Sequence, residues 1–143
     1  MKNQKKTRPE WDEIWMDFAH SISRRSYDPR FQVGSVVVTD DNTQVLAVGY
    51  NGNYSGGPNE IESKEPGHSG MLHAEINCLL KMDYNNPKRK ILYVTLSPCR
   101  MCAKAIINSG IDEVVFMDQY RDSSGIELLQ EGKVKVRRFS SSK

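Results

Sequence analysis

The sequence predicts an α/β protein, a three-layer α/β/α sandwich around a mixed five-stranded sheet. Apolar periodicity gives the element order α-β-β-α-β-α-β-α-β along the 143 residues. In the second half, single helices separate the strands, and connections of this kind make neighbouring strands parallel and place helices on the sheet faces. The first two strands are joined by a short turn instead, which predicts a hairpin.

The first helix is predicted over residues 9–25. Its apolar residues recur at helical spacing and form one face, made of Trp11, Ile14, Trp15, Phe18 and Ile22. Pro9 suits a first helical turn, and the Asp28-Pro29 pair marks the end of the segment.

The other elements follow in chain order. Valine-rich strands are predicted at 33–39 and 44–50, with a turn between them, and a long Gly/Asn/Ser/Pro-rich loop follows at 51–70. A short buried helix is predicted at 73–82, with Ile76, Leu79 and Leu80 pointing inward. Beyond it we predict strands at 91–96, 114–117 and 134–136, and helices at 100–109 and 124–130.

Length and composition limit the classes of protein open to this chain. A length of 143 residues suggests a single domain over 1–143, with loose ends at 1–8 and 140–143. Hydrophobic residues at 38% and charged residues at 27% are typical of a globular protein. No apolar run approaches the ~20 residues that span a bilayer, and no apolar stretch follows the first lysines. We therefore expect a cytoplasmic protein with no membrane partner.

The net charge is +2, and basic residues concentrate at the two ends of the chain. Basic ends can touch nucleic acid, but short charge runs are more often solvated tails or outer strand faces. A polynucleotide enzyme needs a basic channel with stacking aromatics, whereas aromatic residues make up only 8% here. Nucleic acid is therefore not the expected partner, and the mild positive balance suits a small phosphorylated substrate.

The three cysteines are Cys78, Cys99 and Cys102. An odd count in a chain with no predicted signal argues against a disulfide framework, and the C-x-x-C spacing of the last two indicates metal or redox chemistry. Cys78 is most simply a core residue, because free cysteines are among the most buried side chains.

Two short motifs carry the candidate chemistry, HAE at 73–75 and PCRMC at 98–102. Each opens a predicted helix, where free N–H groups and the helix dipole favour thiolates. The imidazole of His73 and the thiolates of Cys99 and Cys102 suit Zn²⁺, and three protein ligands leave a fourth position for water, as in catalytic sites. Glu75 is predicted to be a base beside the metal. Together, H-x-E and P-C-x-x-C form the zinc deaminase signature, so we expect one catalytic zinc ion.

From these motifs outward, the sequence resembles the deoxycytidylate (dCMP) deaminase family of the cytidine-deaminase-like fold, from about Trp11 to Phe139. The stretches that carry the resemblance are RSYDP leading into VGSV, GYNG, HAEIN, SPCRMCAK and the segment 110–122. The zinc motif alone fits many deaminases, whereas GYNG and R-S-x-D-P narrow the resemblance to enzymes that act on nucleotides.

The resemblance implies a role for each matching residue. His73, Cys99 and Cys102 would bind zinc, and Glu75 would carry protons. The other implied contacts are with the nucleotide: Asn51 with the sugar hydroxyl, Val33 under the base, the Ala74 N–H and the Ser97 carbonyl at the pyrimidine edge, and Arg25, Ser26 and Tyr120 at the 5′-phosphate and sugar end.

The implied reaction is the hydrolysis of dCMP to dUMP and ammonia, which supplies dUMP for thymidylate synthesis. Family members are often homo-oligomers, some are regulated by dCTP and dTTP near the GYNG loop, and some carry a second, structural zinc. This chain has no cysteine in its first half or in its long loop to hold that second ion. Two alternatives stay open: a deaminase of dCTP, a nucleoside or a polynucleotide, and a non-catalytic nucleotide-sensing module.

Overall fold

The computed structural model of the chain describes residues 7–60 and 70–140, so parts of the predicted loose ends and of the long loop lie outside it. The described elements, in chain order, are α1 (Trp11–Ser23), β1 (Gly34–Thr39), β2 (Val45–Tyr50), α2 (Ala74–Leu79), β3 (Lys90–Leu96), α3 (Arg100–Asn108), β4 (Glu113–Asp118), α4 (Ser124–Glu131) and β5 (Lys135–Arg138).

The five strands form one mixed sheet in the order β2-β1-β3-β4-β5. β1 is antiparallel to both β2 and β3, whereas β3, β4 and β5 are parallel to one another. The predicted mixed sheet, the β1–β2 hairpin and the parallel pairing in the second half are confirmed. The carboxyl ends of β2, β3 and β4 and the amino end of β1 consequently share one edge of the sheet, which is the edge that carries the candidate site.

Side chains of the strands alternate between two cores, one on each face of the sheet. Val37, Leu92 and Val114 pack with buried side chains of α2, α3 and α4, including Cys78 and Ile106. On the other face, residues such as Val36, Val38 and Tyr93 pack against Met16 and Ala19 of α1. The predicted three-layer α/β/α sandwich is therefore confirmed, with one helix on one face and three on the other.

The predicted apolar face of α1 is only partly covered. Trp11 is 53% exposed, while Trp15 and Phe18 are half-buried against the second core. The backbone of α1 comes very close to the sheet at Ala19, because a Cβ on Gly34 would lie 1.9 Å from the carbonyl oxygen of Ala19. The backbone of α1 rests on β1 at this glycine, and that approach rotates the bulky aromatic residues toward the rim of the contact.

Helix α2 is shorter than predicted and ends at Leu79. Leu79 is buried as expected, but the inward position predicted for Leu80 is wrong, since Leu80 is 70% exposed. The inward face of α2 carries Glu75, Cys78 and Leu79. Ile76 and Leu80 lie one turn apart, away from that face, because helical residues four apart share a side. No helix among the described residues is long and apolar enough to cross a membrane.

A polar cluster ties α1 to three strands. Asp12 on α1 accepts hydrogen bonds from the hydroxyl of Tyr93 on β3 (2.6 Å) and from Arg137 on β5 (2.7 Å), and Arg137 also pairs with Glu113 on β4. The hydrogen bond from Arg137 is the main reason that the pKa of Asp12 lies below its usual value, against the opposing effect of burial. The cluster therefore favours the folded state most when Asp12 is ionised.

Replacing Asp12 with asparagine should lower the free energy of unfolding at pH 7 by about 1 kcal/mol, a modest value because both partners are partly exposed. A carboxyl whose pKa is lowered by folding stabilises the protein above its unfolded pKa of about 3.9 and loses that contribution as pH falls through the folded pKa. Urea unfolding should therefore show that the wild type and Asp12→Asn differ in free energy of unfolding at pH 7 and that this difference shrinks below about pH 4. Asp17→Asn, at an exposed position of the same helix, is the control. An equal effect of both variants at pH 7 would contradict this account.

Candidate active site

The two predicted motifs meet at the shared edge of the sheet. The Nδ1 atom of His73 lies 3.5 Å from Sγ of Cys99 and 3.4 Å from Sγ of Cys102. All three ligand atoms lie within 4.8 Å of one another, and no other His/Cys/Asp/Glu group in residues 7–60 and 70–140 forms such a cluster. His73 and Cys99 are the N-cap residues of α2 and α3, so each motif opens a helix, as predicted.

The spacing of these three atoms fits a zinc ion. Zinc bonds of about 2.3 Å to sulfur and about 2.05 Å to nitrogen, at tetrahedral angles, put the N and S atoms about 3.5 Å apart. The two observed N···S distances agree with that separation. One imidazole and two sulfurs also match the ligand chemistry that zinc prefers, and three ligands leave one coordination position open.

Helix α2 is held against the hairpin by close backbone contacts. The hydroxyl of Ser35 on β1 donates to the carbonyl oxygen of Ala74 (2.9 Å), within a buried environment. On β2, a Cβ at Gly49 would lie 2.5 Å from that same oxygen and 2.5 Å from the N atom of Cys78. The first turn of α2, with Glu75 on it, is thus fixed directly on the sheet.

The cysteine motif is held between the end of β3 and the start of α4. A Cβ on Gly125 would lie 2.0 Å from the carbonyl oxygen of Pro98, so the first turn of α4 packs directly on the backbone of the motif. Cys102 is fully buried on α3, whereas Cys99 is partly exposed to the cavity. Two of the three candidate metal ligands are therefore placed by packing between helices.

The two thiols are coupled to each other. The pKa of Cys99 is lowered to about 4, and the hydrogen bond from Cys102 is the main cause. Burial opposes this shift, while the interaction with His73 adds to it. The same hydrogen bond and burial raise the pKa of Cys102. The two pKa shifts have opposite directions because the thiols share a hydrogen bond, and a bound cation would favour the thiolate form of both, since coordination deprotonates a thiol.

Glu75 is 4% exposed and faces the three ligands from the first turn of α2. Burial raises the pKa of its carboxyl to about 7, while the charge of His73 opposes that shift. A buried carboxyl of this kind is costly to ionise unless a positive charge lies beside it. Its position beside the His/Cys/Cys group supplies that environment when a metal cation is bound.

A cavity of about 570 Å³ opens above this group. Its inner end is lined by buried residues, among them Ala74, Glu75 and Ser97, and its walls by Val33 and Leu96. Its mouth is lined by exposed or half-buried residues, namely Arg30, Phe31, Gln119, Tyr120 and Arg121. A volume of this size is typical of small-molecule sites.

Asn51 shapes one wall through its side chain. Its Oδ1 accepts a hydrogen bond from the N–H of Val33 (2.9 Å), and its Nδ2 donates to the carbonyl oxygen of Phe31. Asn51 is buried and lines the cavity. The residue implied as a sugar contact therefore also holds the 31–33 segment, and its Oδ1 keeps a second lone pair that can accept a further hydrogen bond.

The structure brings most of the sequence-predicted residues to the cavity and its floor. Arg25 and Ser26 are not among the residues that line it: Arg25 is exposed, and Ser26 is buried with its hydroxyl accepting from the N–H of Asp28. Sequence reasoning missed five lining residues, which are Arg30, Phe31, Leu96, Gln119 and Arg121. A usable signal is their position beside motif residues: Arg30 and Phe31 follow Pro29 directly, Leu96 precedes Ser97, and Gln119 and Arg121 flank Tyr120.

Comparisons with known proteins agree with this site. The cytidine and deoxycytidylate deaminase zinc-binding region matches residues 9–118. Human deoxycytidylate deaminase is 37% identical over 126 residues, covering 80% of this chain and 68% of that protein. Deoxycytidylate deaminase of Mycobacterium phage D29 is 36% identical over 125 residues, covering 77% of this chain and 96% of that protein.

A solved structure is similar over the same region. The crystal structure of dCMP deaminase from the cyanophage S-TIM5, in complex with dCMP and dUMP, is 34% identical with a TM-score of 0.79, covering 94% of this chain and 100% of that chain. Fold and site together define a zinc-binding hydrolytic deaminase of the cytidine-deaminase-like fold. Within that class, the chain belongs to the deoxycytidylate deaminase family.

Proposed function

We propose that this protein hydrolyses dCMP to dUMP and ammonia, using one zinc ion held by His73, Cys99 and Cys102. One observation carries the proposal: a single cavity joins the His/Cys/Cys group and the buried Glu75 to two arginines at its mouth. The inner end suits a cytosine ring, and the outer end suits an anion. The similar cyanophage enzyme, solved with dCMP and dUMP, supports the same substrate and product.

The zinc ion would supply an activated water molecule as the nucleophile. The carboxylate of Glu75 accepts a proton from the attacking water as its oxygen bonds to C4 of cytosine, and passes that proton to N3. Glu75 then takes the remaining proton from the new C4 hydroxyl and gives it to the amine. The C4–N bond breaks, ammonia leaves, and C4 becomes the carbonyl of uracil. Glu75 therefore moves two protons and ends in its starting state.

The other residues at the inner end hold the base. The N–H of Ala74 is one of the free donors in the first turn of α2, and it can donate to the pyrimidine O2. The Ser97 carbonyl can accept from the exocyclic amine. Val33 and Leu96 supply apolar walls that exclude water beside the ring. These contacts orient C4 toward Glu75, which raises the rate by positioning the reacting atoms.

The 5′-phosphate contacts in this proposal are Arg30 and Arg121, in place of the expected Arg25 and Ser26. Both guanidinium groups belong to residues that line the mouth of the cavity, and Arg30 lies over the ring of Phe31 at 5.6 Å. Arginine pairs well with phosphate because its N–H groups match two phosphate oxygens at once. Tyr120 precedes Arg121 and also lines the cavity, so it can contact the sugar.

Changing Arg121 to alanine should raise the KM for dCMP about 10- to 100-fold, because one hydrogen bond to a charged group contributes about 1.5–3 kcal/mol. Deoxycytidine has no phosphate, so its kcat/KM should change little. Arg25→Ala is the matched control and should behave like the wild type with both substrates. Equal losses for dCMP and deoxycytidine in Arg121→Ala, or a dCMP-specific loss in Arg25→Ala, would contradict the assignment.

Several further expectations belong to the same proposal. We propose that residues 1–143 form a single deaminase domain, that its dUMP supplies thymidylate synthesis in the cytoplasm, and that the protein is a homo-oligomer. Regulation by dCTP and dTTP near the GYNG loop at 49–52 stays a prediction. Assay of ammonia release together with dUMP formation from dCMP tests the reaction. A zinc-loaded preparation that forms neither product would overturn it.

A further inference from the structure

The residue before the zinc motif has a side chain with no assigned role. Ser97 follows the last residue of β3, is 4% exposed, and lines the cavity. The resemblance to the deoxycytidylate deaminase family implies a role only for the backbone carbonyl of Ser97, at the pyrimidine edge. Its hydroxyl faces the chain that leaves β4, and that chain carries three residues of the cavity mouth, Gln119, Tyr120 and Arg121.

Ser97 makes two hydrogen bonds to this chain. Its N–H donates to the carbonyl oxygen of Asp118 (2.9 Å), and its Oγ accepts from the N–H of Tyr120 (2.7 Å). The first bond continues the parallel β3–β4 pairing by one step. If the pairing went one step further, the N–H of Tyr120 would need a backbone acceptor on the β3 side. Both strands have ended at this point, and the Ser97 hydroxyl serves as the acceptor instead.

The two bonds have a mechanical consequence for the mouth of the cavity. They fix the backbone on both sides of Gln119 to a single residue, and that residue is followed directly by Pro98 and Cys99. Pro98 is in turn packed against Gly125 of α4. The mouth residues and the metal motif are therefore held in one register, although they lie on different loops.

We propose that the Ser97 hydroxyl is a positioning group, which holds the Gln119–Arg121 segment over the cavity so that Tyr120 and Arg121 meet the sugar and phosphate of the substrate. The inference rests on the proposed function for its kinetic part. Ser97 Oγ touches no reacting atom. Its loss acts on substrate binding through the segment and leaves the His/Cys/Cys group and Glu75 in place.

The test compares Ser97→Ala with the wild type in two ways. In ¹H–¹⁵N spectra of the full chain, amide hydrogen exchange at Tyr120 should become at least about tenfold faster, since the N–H loses its acceptor. Amides of the β3–β4 pairing, such as that of Phe116, should keep their protection and so report an intact fold. Unchanged exchange at Tyr120 would overturn the proposal.

The kinetic measurement separates binding from chemistry. We expect the KM for dCMP to rise about tenfold in Ser97→Ala, the factor that corresponds to roughly one hydrogen bond, while kcat falls less than about threefold. The KM for deoxycytidine should change less. A loss confined to kcat would contradict a positioning role. Ser123→Ala, which removes an exposed hydroxyl two residues beyond Arg121, is the matched control and should leave KM unchanged.

The two readouts distinguish failure of this inference from failure of the proposed function. If the wild type does not turn over dCMP, the proposed function fails, and the exchange rate at Tyr120 still decides whether the hydroxyl holds the segment. If the wild type is active but Ser97→Ala has normal KM and normal exchange, the proposed function stands and the positioning role of Ser97 is wrong.

Discussion

Replacing Glu75 with glutamine should lower kcat for dCMP by about 10⁴-fold, the upper end of what one general acid–base group contributes. The large effect follows from geometry, because Glu75 is the buried carboxyl beside the His/Cys/Cys group and must move a proton twice in each turnover. Glutamine keeps the size of the side chain and its place on α2, but it cannot accept a proton from water.

The decisive comparison for this variant is between activity and metal content. Glu75→Gln should bind zinc at the same stoichiometry as the wild type, because the three ligand residues are unchanged. Glu131→Gln, at the exposed end of α4, is the control and should keep full activity. A Glu75→Gln protein that loads zinc fully and still turns over dCMP at more than about a tenth of the wild-type rate would contradict the proton-transfer role.

Changing Cys102 to alanine should weaken zinc binding by at least about 100-fold, since even residues that only support a ligand cost 10- to 100-fold in metal affinity. Cys102 is fully buried on α3, and its Sγ lies 3.4 Å from Nδ1 of His73. Competition with a chromophoric chelator measures the affinity, and turnover should fall in parallel with zinc occupancy.

Cys78 is the matched control for this change. It is also a fully buried free cysteine, but it packs in the core between α2 and the sheet and does not belong to the metal group. Burial raises the pKa of Cys78 to about 11, which is typical of an inert core thiol. Cys78→Ala should therefore keep zinc, with only some loss of thermal stability. Equal loss of zinc in both variants would contradict the ligand assignment.

The candidate metal centre is the most predictable part of the molecule. The H-x-E and C-x-x-C motifs specify their own geometry, because each lies at a helix start and each helix follows a loop at the same sheet edge. The parallel pairing of β3, β4 and β5 is predictable for a related reason, since a single helix between two strands leaves few possible connections. Residues with a strong local pattern, such as the valines of β1, were placed correctly.

Other features depend on how separate segments pack, which local patterns do not encode. The apolar character of Leu80 predicts an inward position, yet α2 ends before it. The close approach of α1 to β1 depends on contact between Gly34 and Ala19, and no local sequence pattern predicts that contact. The arginines at the mouth belong to this class as well, because Arg30 and Arg121 lie on two loops that are far apart in the sequence and both line the cavity.

The most direct test of the central claim is a side-by-side assay of zinc-loaded protein with dCMP, CMP, dCTP, deoxycytidine and a cytosine-containing oligonucleotide. Loss of ultraviolet absorbance and release of ammonia report turnover, with and without added dCTP or dTTP. We predict that kcat/KM is highest for dCMP and that deoxycytidine is poorer because it lacks the phosphate that Arg30 and Arg121 would bind. If dCMP is inert while another cytosine compound reacts, the substrate assignment is wrong.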